Sequence, residues 1–394
     1  MNWELRKIAD CLGITEYPVE LNDAFEAICK QGLLSTISDT LKQLHEEFDP
    51  FGEYYDFLLQ GAEKVQHDKT LLTWLSLGVY YCKSATEKEA AAFPLPPWDE
   101  SLARDAFPAL LIAMEFPETV KRYRARGLSD THIKNNLGSL KYNMHVHKIT
   151  QGRVSLSPGL YGWMTYYTKA RIVDFMGFNF QAWKWKDEAI LLKNRKNCNY
   201  VFLLLKGKFT AEGTVAGIRG AENIPEFLEA TLEETEDAFI GYRADGQRIS
   251  TVLQRFQKCE WEAVLRPGDD VINFHIPRGA DLTPAFVEKS IALASEHMAC
   301  YYPECNFKFT VCTSWMLDPK LLDILPDASN IAQFGRHFIL HPSGDTAGNA
   351  CMSYVWPGEN RKIGELSENT SLQRSIKSMM CRNSFIFWTT GVWI

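Results

Sequence analysis

His275 stands between Phe274 and Ile276 in an apolar-rich run, Val271–Pro277, that leads directly into Arg278, Gly279 and Ala280. An imidazole titrates near neutrality, so it can take or give a proton under ordinary working conditions. The plainer reading is a satisfied histidine in the core or at the rim of a strand. Cys312-Thr313-Ser314-Trp315 closes a second apolar run, and Asp318 precedes Pro319. Cys312 paired with His275 would make a nucleophile and its base. A cysteine within a strand is more often a small buried hydrophobe. Asp318 ahead of a proline reads first as a helix N-cap, and Trp315 serves equally as pocket wall or core.

Other clusters carry less. His297, Cys300, Cys305 and Cys312 come nearest to a ligand set. Their spacing fits no zinc template, and Cys312 falls in an apolar strand, so no metal is expected. His145 and His147 sit two apart on a predicted helix and face different directions. Asn330, Gln333, Phe334, Arg336 and His337 offer polar contacts to a substrate, or a structural network. Thr370-Ser371-Leu372-Gln373-Arg374 reads as a helix start with its cap. Lys121, Arg122, Arg124 and Arg126 read as a solvated helix end rather than a phosphate site.

The elements that must position these residues fall into two parts. Leu21–Phe48 and Tyr54–Cys82 carry apolar residues at three- and four-residue steps, with Gly32 dividing the first. Ala91–Asp99 holds Pro94, Pro96 and Pro97 and reads as a loop. Further helices are expected over Asp99–Arg126, broken or kinked at Pro108 and Pro117, and over Asp130–Lys148 behind a Ser129 cap. From Gln151 the pattern turns to strands, with Gly152, Pro158 and Gly159 marking the break. Ala170–Trp185 reads as a hairpin, Tyr200–Leu205 as a strand, and Ala221–Leu232 as a helix. Ala238–Tyr242 and Arg248–Val252 flank an Asp245-Gly246 turn.

Beyond residue 260 the expected order is clearer. Strands at Trp261–Leu265 and Val271–Ile276 precede a helix from Thr283 to about His297. Then come a strand at Phe307–Cys312, a helix at Asp318–Leu325, and strands at Phe334–Leu340 and Cys351–Trp356. The terminal Phe385–Ile394 is apolar enough to require packing, most simply on its own domain. The fold class is therefore α/β (α+β): an all-helical domain over 1–150, then a mixed-sheet domain over 151–394 whose halves meet near 260.

Composition sets outer limits. The 394 residues include 46% hydrophobic and 23% charged types, an ordinary globular balance that suits two or three domains. A net charge of −7 leaves no basic field, so nucleic acid is not an expected partner. Met1–Asp10 has no basic start before an apolar stretch, and no run approaches a membrane span, so membrane insertion is not expected. The 10 Cys follow no regular spacing, and reduced thiols in the cytoplasm are the expectation.

The blocks Phe274–Ala280, Cys312–Pro319, Ser329-Asn330-Ile331 with Phe334, and Thr370–Arg374 occur in an order that carries a resemblance. The chain resembles a bacterial family of acyltransferase-like proteins that join a helical N-terminal domain to a GNAT-like C-terminal domain. The likeness covers nearly the whole chain and is strongest from about residue 260. It implies acyl-coenzyme A, acetyl or longer, as co-substrate, with the pantetheine arm in a gap between the fourth and fifth strands. Matched by order, these are Asn273–Ile276 and Phe307–Cys312, and Arg278–Thr283 is the pyrophosphate loop. Phe274, Ile276, Arg278, Gly279, Ala280 and Thr283 are then the expected coenzyme contacts. The family's usual loop spacing is absent here, and Asp281 would repel a pyrophosphate unless it turns away to cap the helix.

The activity implied is N-acyl transfer to an amine of a small molecule or peptide. His275 is the expected base. Ser314 stands in the acid role that usually falls to tyrosine, with Asp318 beside it. A non-catalytic module that keeps this shape without the coenzyme site is the alternative, and a metal hydrolase is a third class.

Overall fold

Leu21, Phe25 and Ile28 are buried along one face of the helix Leu21–Gln31, and Leu41, Leu44 and Phe48 along that of Ile37–Phe48. Gly32, with φ 91°, separates the two. The computed structural model that shows this describes residues 3–394. The chain divides into two units, Met1–Asp174 and Phe175–Ile394. Helices Tyr55–His67, Lys69–Ser84, Leu102–Ala125, Asp130–Leu137, Ser139–Gln151 and Pro158–Thr168 complete most of the first.

Leu102–Ala125 is a single helix through Pro108 and Pro117, so neither proline breaks it. Phe107, Leu110, Leu111 and Phe116 are fully buried, and that packing outweighs the backbone bonds that the prolines remove. Helix Tyr55–His67 crosses it at Gly61, where an added Cβ would stand 2.3 Å from the Ala106 Cβ. Pro158 opens a helix instead of ending one. It occupies the first turn, and Ser157 Oγ accepts from Leu160 N at 3.3 Å.

In the second unit lies a six-stranded sheet whose first strand, Ile172–Phe175, contains the division between units. Phe178–Lys184, Asp270–His275, Phe307–Ser314, Thr389–Trp393 and Phe338–Pro342 follow in spatial order. The terminal apolar segment thus packs into its own domain, as a strand between two earlier ones. Gly391 there has no room for a side chain, because a Cβ would meet Phe338 and Leu340 at 2.8 Å. A second sheet runs Arg248–Ile249, Arg243–Asp245, Tyr200–Leu204, Ala189–Asn194 and Trp261–Leu265. The turn at Asp245-Gly246 and the helix Pro284–Tyr301 stand where the sequence indicates. The first arm of the hairpin, however, is Arg243–Asp245, and Ala238–Gly241 pairs instead with Leu232–Glu234 and Gln254–Gln257 in a separate sheet.

Three expectations fail for local reasons. Ala221–Leu232 is not a helix. Phe227 N and Ala230 N bond Phe209 O and Gly207 O, and Ile224 and Phe227 are exposed rather than aligned on a buried face. Cys351–Trp356 holds the short helix Met352–Val355 and lies outside the sheet. A brief apolar run does not distinguish the two states. Phe334–Leu340 begins in the helix Asn330–Gly335, capped by Ser329 Oγ to Ala332 N at 3.1 Å, and its strand starts only at Phe338. Thr370 and Gln373 form the expected capping box.

Among the described residues, no helix is long and apolar enough to cross a membrane. Gly61→Ala, by overpacking the helix crossing, is expected to cost about 1–3 kcal/mol. Chemical denaturation of the variant beside the parent checks this.

Candidate functional site

Asp270–His275 and Phe307–Ser314 run parallel, and their register extends only to Asn273↔Val311. Beyond that pair each strand follows a different neighbour. Phe274 and His275 pair with Phe180 and Asn179, while Cys312, Thr313 and Ser314 pair with Gly391, Thr390 and Thr389. Sheet twist turns neighbouring strands apart, and the two ends diverge into a gap.

Alternation assigns side chains to two faces. Phe274 shares its face with Phe178 and Phe180, at ring separations of 5.0 and 5.1 Å. Phe286 and Phe334 reach the same cluster from Pro284–Tyr301 and Asn330–Gly335, at 6.1 Å from Phe178 and 6.0 Å from Phe274. That face is apolar and covered by helices. Cys312 and Ser314 share it, and both are buried.

The opposite face joins an apolar core around Val271, Val311 and Val392, but its end at the gap is polar. Register places Asn179, Gln181, Asn273, His275, Thr313, Thr390 and His341 on it. His275 Nε2 lies 3.0 Å from Gln181 Oε1, and Asn273 Nδ2 donates to the same oxygen at 3.5 Å. An amide oxygen only accepts, so the His275 proton sits on Nε2 and the lone pair on Nδ1. Burial pushes the imidazole down to about 4, which keeps it neutral at pH 7. Thr313 is exposed although its strand is central to the sheet, so the gap opens to solvent on this face. Its Oγ1 lies 3.0 Å from Thr390 Oγ1. Farther along, buried His341 Nε2 stands 3.2 Å from Asp187 Oδ2. Burial alone would raise the Asp187 carboxyl, but hydrogen bonds to His341 and Thr390 hold it below its usual range.

Ser314, Asp318 and the loop Arg278–Thr283 follow the ends of the two strands. Ser314 Oγ accepts from Met316 N at 3.2 Å. Asp318 is fully engaged: Oδ1 accepts from Lys320 N at 3.0 Å and Oδ2 from Phe387 N at 2.8 Å, while burial raises its carboxyl. It straps Phe387 to the end of the strand. Arg278 Nη2 donates to the carbonyls of Ser353 and Tyr354. Gly279 has φ 81°, Ala280 N donates to Pro277 O at 3.2 Å, and Asp281 Oδ1 accepts from Thr283 N at 2.9 Å. Asp281 therefore closes a turn just ahead of the helix, whose N-cap, Thr283, has no side-chain cap bond. Cys312 is buried in the sheet, and burial raises its thiol well above the ordinary range. His297 stacks on Phe175 and Tyr301, and Cys300 is exposed. Among the described residues, no group of three or more His, Cys, Asp or Glu could hold a metal ion.

Gln181, Thr313, Thr390, Asp187 and His341 escaped the sequence reading. Their signal was alternation: Asn179 and Gln181 interleave with Phe178, Phe180 and Ala182, the pattern of a strand with one polar face.

An unfolded imidazole titrates near 6.5, and this one is held near 4 in the folded chain. The unfolded state therefore binds more protons between those values, and stability falls as pH drops through that window, by up to about 1.4 kcal/mol per unit. His275→Gln is expected to flatten this acid slope. Denaturant titrations of parent and variant at pH 4.5, 5.5 and 7 measure the difference.

The chain matches the GNAT-like C-terminal domain family over residues 135–393. Among solved structures it resembles an acyltransferase in complex with decanoyl-CoA and teicoplanin, with a TM-score of 0.66, 16% identity and 98% of each chain covered. A mutant acyltransferase in complex with octanoyl-CoA matches with the same TM-score, identity and coverage. An acyltransferase bound to decanoyl-CoA gives 0.66 at 14% identity, again over 98% of each chain. None of the curated proteins matches. Because the family match spans more than half of the sequence, the chain belongs to the family with a GNAT-like C-terminal domain.

Proposed function

We propose that this chain transfers an acyl group from acyl-coenzyme A to an amine of a small molecule or peptide. The divergence of the two parallel strands after Asn273↔Val311 carries the reading. Such a gap accepts a narrow, flexible arm of amide units, which strand edges bind by backbone hydrogen bonds. The similar structures are described as acyltransferases with octanoyl-CoA or decanoyl-CoA, and one with teicoplanin, which supports this donor and a small-molecule or peptide-like acceptor.

The two faces divide the work. Phe274 and Ile276 flank the pantetheine arm, and Arg278, Gly279, Ala280 and Thr283 lie beside the pyrophosphate at the start of Pro284–Tyr301. The acceptor amine approaches from the polar face. There His275, neutral and oriented by Gln181, accepts a hydrogen bond from the attacking nitrogen and passes its proton to water. Ser314, on the other face, donates a hydrogen bond to the departing thiolate, which takes its proton from water as the Ser314 hydroxyl keeps its own. Asp318 positions that end of the strand through its bonds to Lys320 and Phe387. Backbone N–H groups along the gap stabilise the oxyanion.

A second reading, a binding module without the coenzyme site, draws on the loop itself. Asp281 occupies the Thr283 N–H that would otherwise face a phosphate. Thermal melting with acetyl-, octanoyl- and decanoyl-coenzyme A separates the two. A ligand at about 100 times its Kd stabilises the folded state by about 2.7 kcal/mol, so the midpoint rises by several degrees. No shift with any acyl chain sinks the enzyme. His275→Ala is expected to keep the melting shift while slowing amine-dependent thiol release by about 10²–10⁴-fold.

A further inference from the structure

A cleft of about 770 Å³ opens among Arg219, Asn349, Met352, Arg361, Lys362 and Trp388. None of these entered the site described above. In a chain of net charge −7, three cations here face one lining carboxylate, Glu359. That carboxylate is already engaged: Oε2 accepts from Ser367 N at 3.1 Å, and Oε1 from the Ser367 hydroxyl. Arg219 is held over the Phe385 ring at 4.0 Å, which fixes its guanidinium. Trp388, Met352 and Met380 supply apolar wall. A concave site with a few convergent charges on apolar walls is a ligand site, and these charges select an anion.

Its position selects which ligand. Ala350 and Met380 of the lining belong to the same apolar cluster as Val271, Val311 and Val392. Those three side chains lie on the sheet face of His275 and Thr313, opposite the helix-covered face of Phe274. Trp315 follows the gap-lining strand, its ring is 6.3 Å from Tyr354, and Tyr354 is 6.1 Å from Trp388. Arg278 ties the loop after the other gap strand to the cleft's rim, through the carbonyls of Ser353 and Tyr354. The cleft therefore lies on the same side of the sheet as His275 and Thr313.

We propose that this cleft holds the anionic group, carboxylate or phosphate, of the amine that the chain acylates. The proposal rests on the acyl-coenzyme A reading above. An extended peptide covers about 3.5 Å per residue, so a short peptide with a free amine at one end and an anion at the other is the simplest acceptor of this kind. Arg361 and Lys362 grip the anion, Arg219 backs them, and Trp388 packs on the acceptor's body.

The test is calorimetric titration of the full chain, in the presence of coenzyme A, with three matched sets of tripeptides. These are free acids, their C-terminal amides, and amides carrying a terminal phosphoserine. At least one charged set is expected to bind tenfold or more tightly than the neutral amides, and which set does so identifies the anion. Arg361→Ala with Lys362→Ala, both exposed, is expected to erase that preference and leave the decanoyl-coenzyme A Kd unchanged. Equal binding of charged and neutral peptides, or none at millimolar concentration, overturns the proposal. So does a double variant that loses decanoyl-coenzyme A instead, which would put the coenzyme's phosphates in the cleft. If the parent prefers charged peptides yet shows no acyl-coenzyme A melting shift, the acylation reading fails and the acceptor role falls with it, leaving an anion site alone.

Discussion

A backbone strand has two edges, and in this sheet the use of one edge decides the geometry at the other. Asp270–His275 stays antiparallel to Phe178–Lys184 through its last residue, and Phe307–Ser314 stays antiparallel to Thr389–Trp393 through its own. The parallel ladder between them stops at Asn273↔Val311. Both outer pairings are sustained while the inner one is released, so the gap is built by commitment elsewhere and not by weakness in either strand. Every candidate residue is placed by its distance from that point of release.

The two sides of the gap differ in chemistry because alternation is strict. One side stacks phenylalanines under two helices, with Ser314 among its few polar groups. The other gathers amides, hydroxyls and two histidines, each with a defined contact. Gln181 fixes the His275 proton on Nε2, and burial keeps the ring uncharged. Asp187 beside His341 shows the reverse balance, with hydrogen bonds outweighing the cost of burying a carboxylate. A donor and an acceptor substrate meeting through such a gap would each find a surface suited to it.

Much of this order was legible before any coordinates. The run Val271–Pro277, its turn into a proline-started helix, and the glycine turn at Asp245-Gly246 each carry a local physical signature. So does the Thr370–Gln373 capping box. Residues whose placement depends on distant partners were not legible. Thr313 looks like any strand threonine until the neighbouring strand turns away and leaves it exposed. The cleft draws Arg219, Arg361 and Trp388 from three separate stretches, and no spacing announces that. Cys351–Trp356 reads as a strand because it is short and apolar, but the strand that pairs with Phe338–Pro342 is Thr389–Trp393, at long sequence separation.

That late strand has a temporal consequence. It lies between Phe307–Ser314 and Phe338–Pro342, touching both, with Gly391 admitting no side chain where the three meet. Until it arrives, the sheet consists of two incomplete pieces with open edges, and the strand that lines the gap lacks one of its neighbours. Loop closure of this kind is slow, and exposed edges invite wrong pairing. The surroundings of the gap would therefore be completed only when Thr389–Trp393 is available to pair with both of its neighbours. A chain stopped shortly before Thr389 would hold both strands that border the gap but leave one of them, Phe307–Ser314, with an unpaired outer edge.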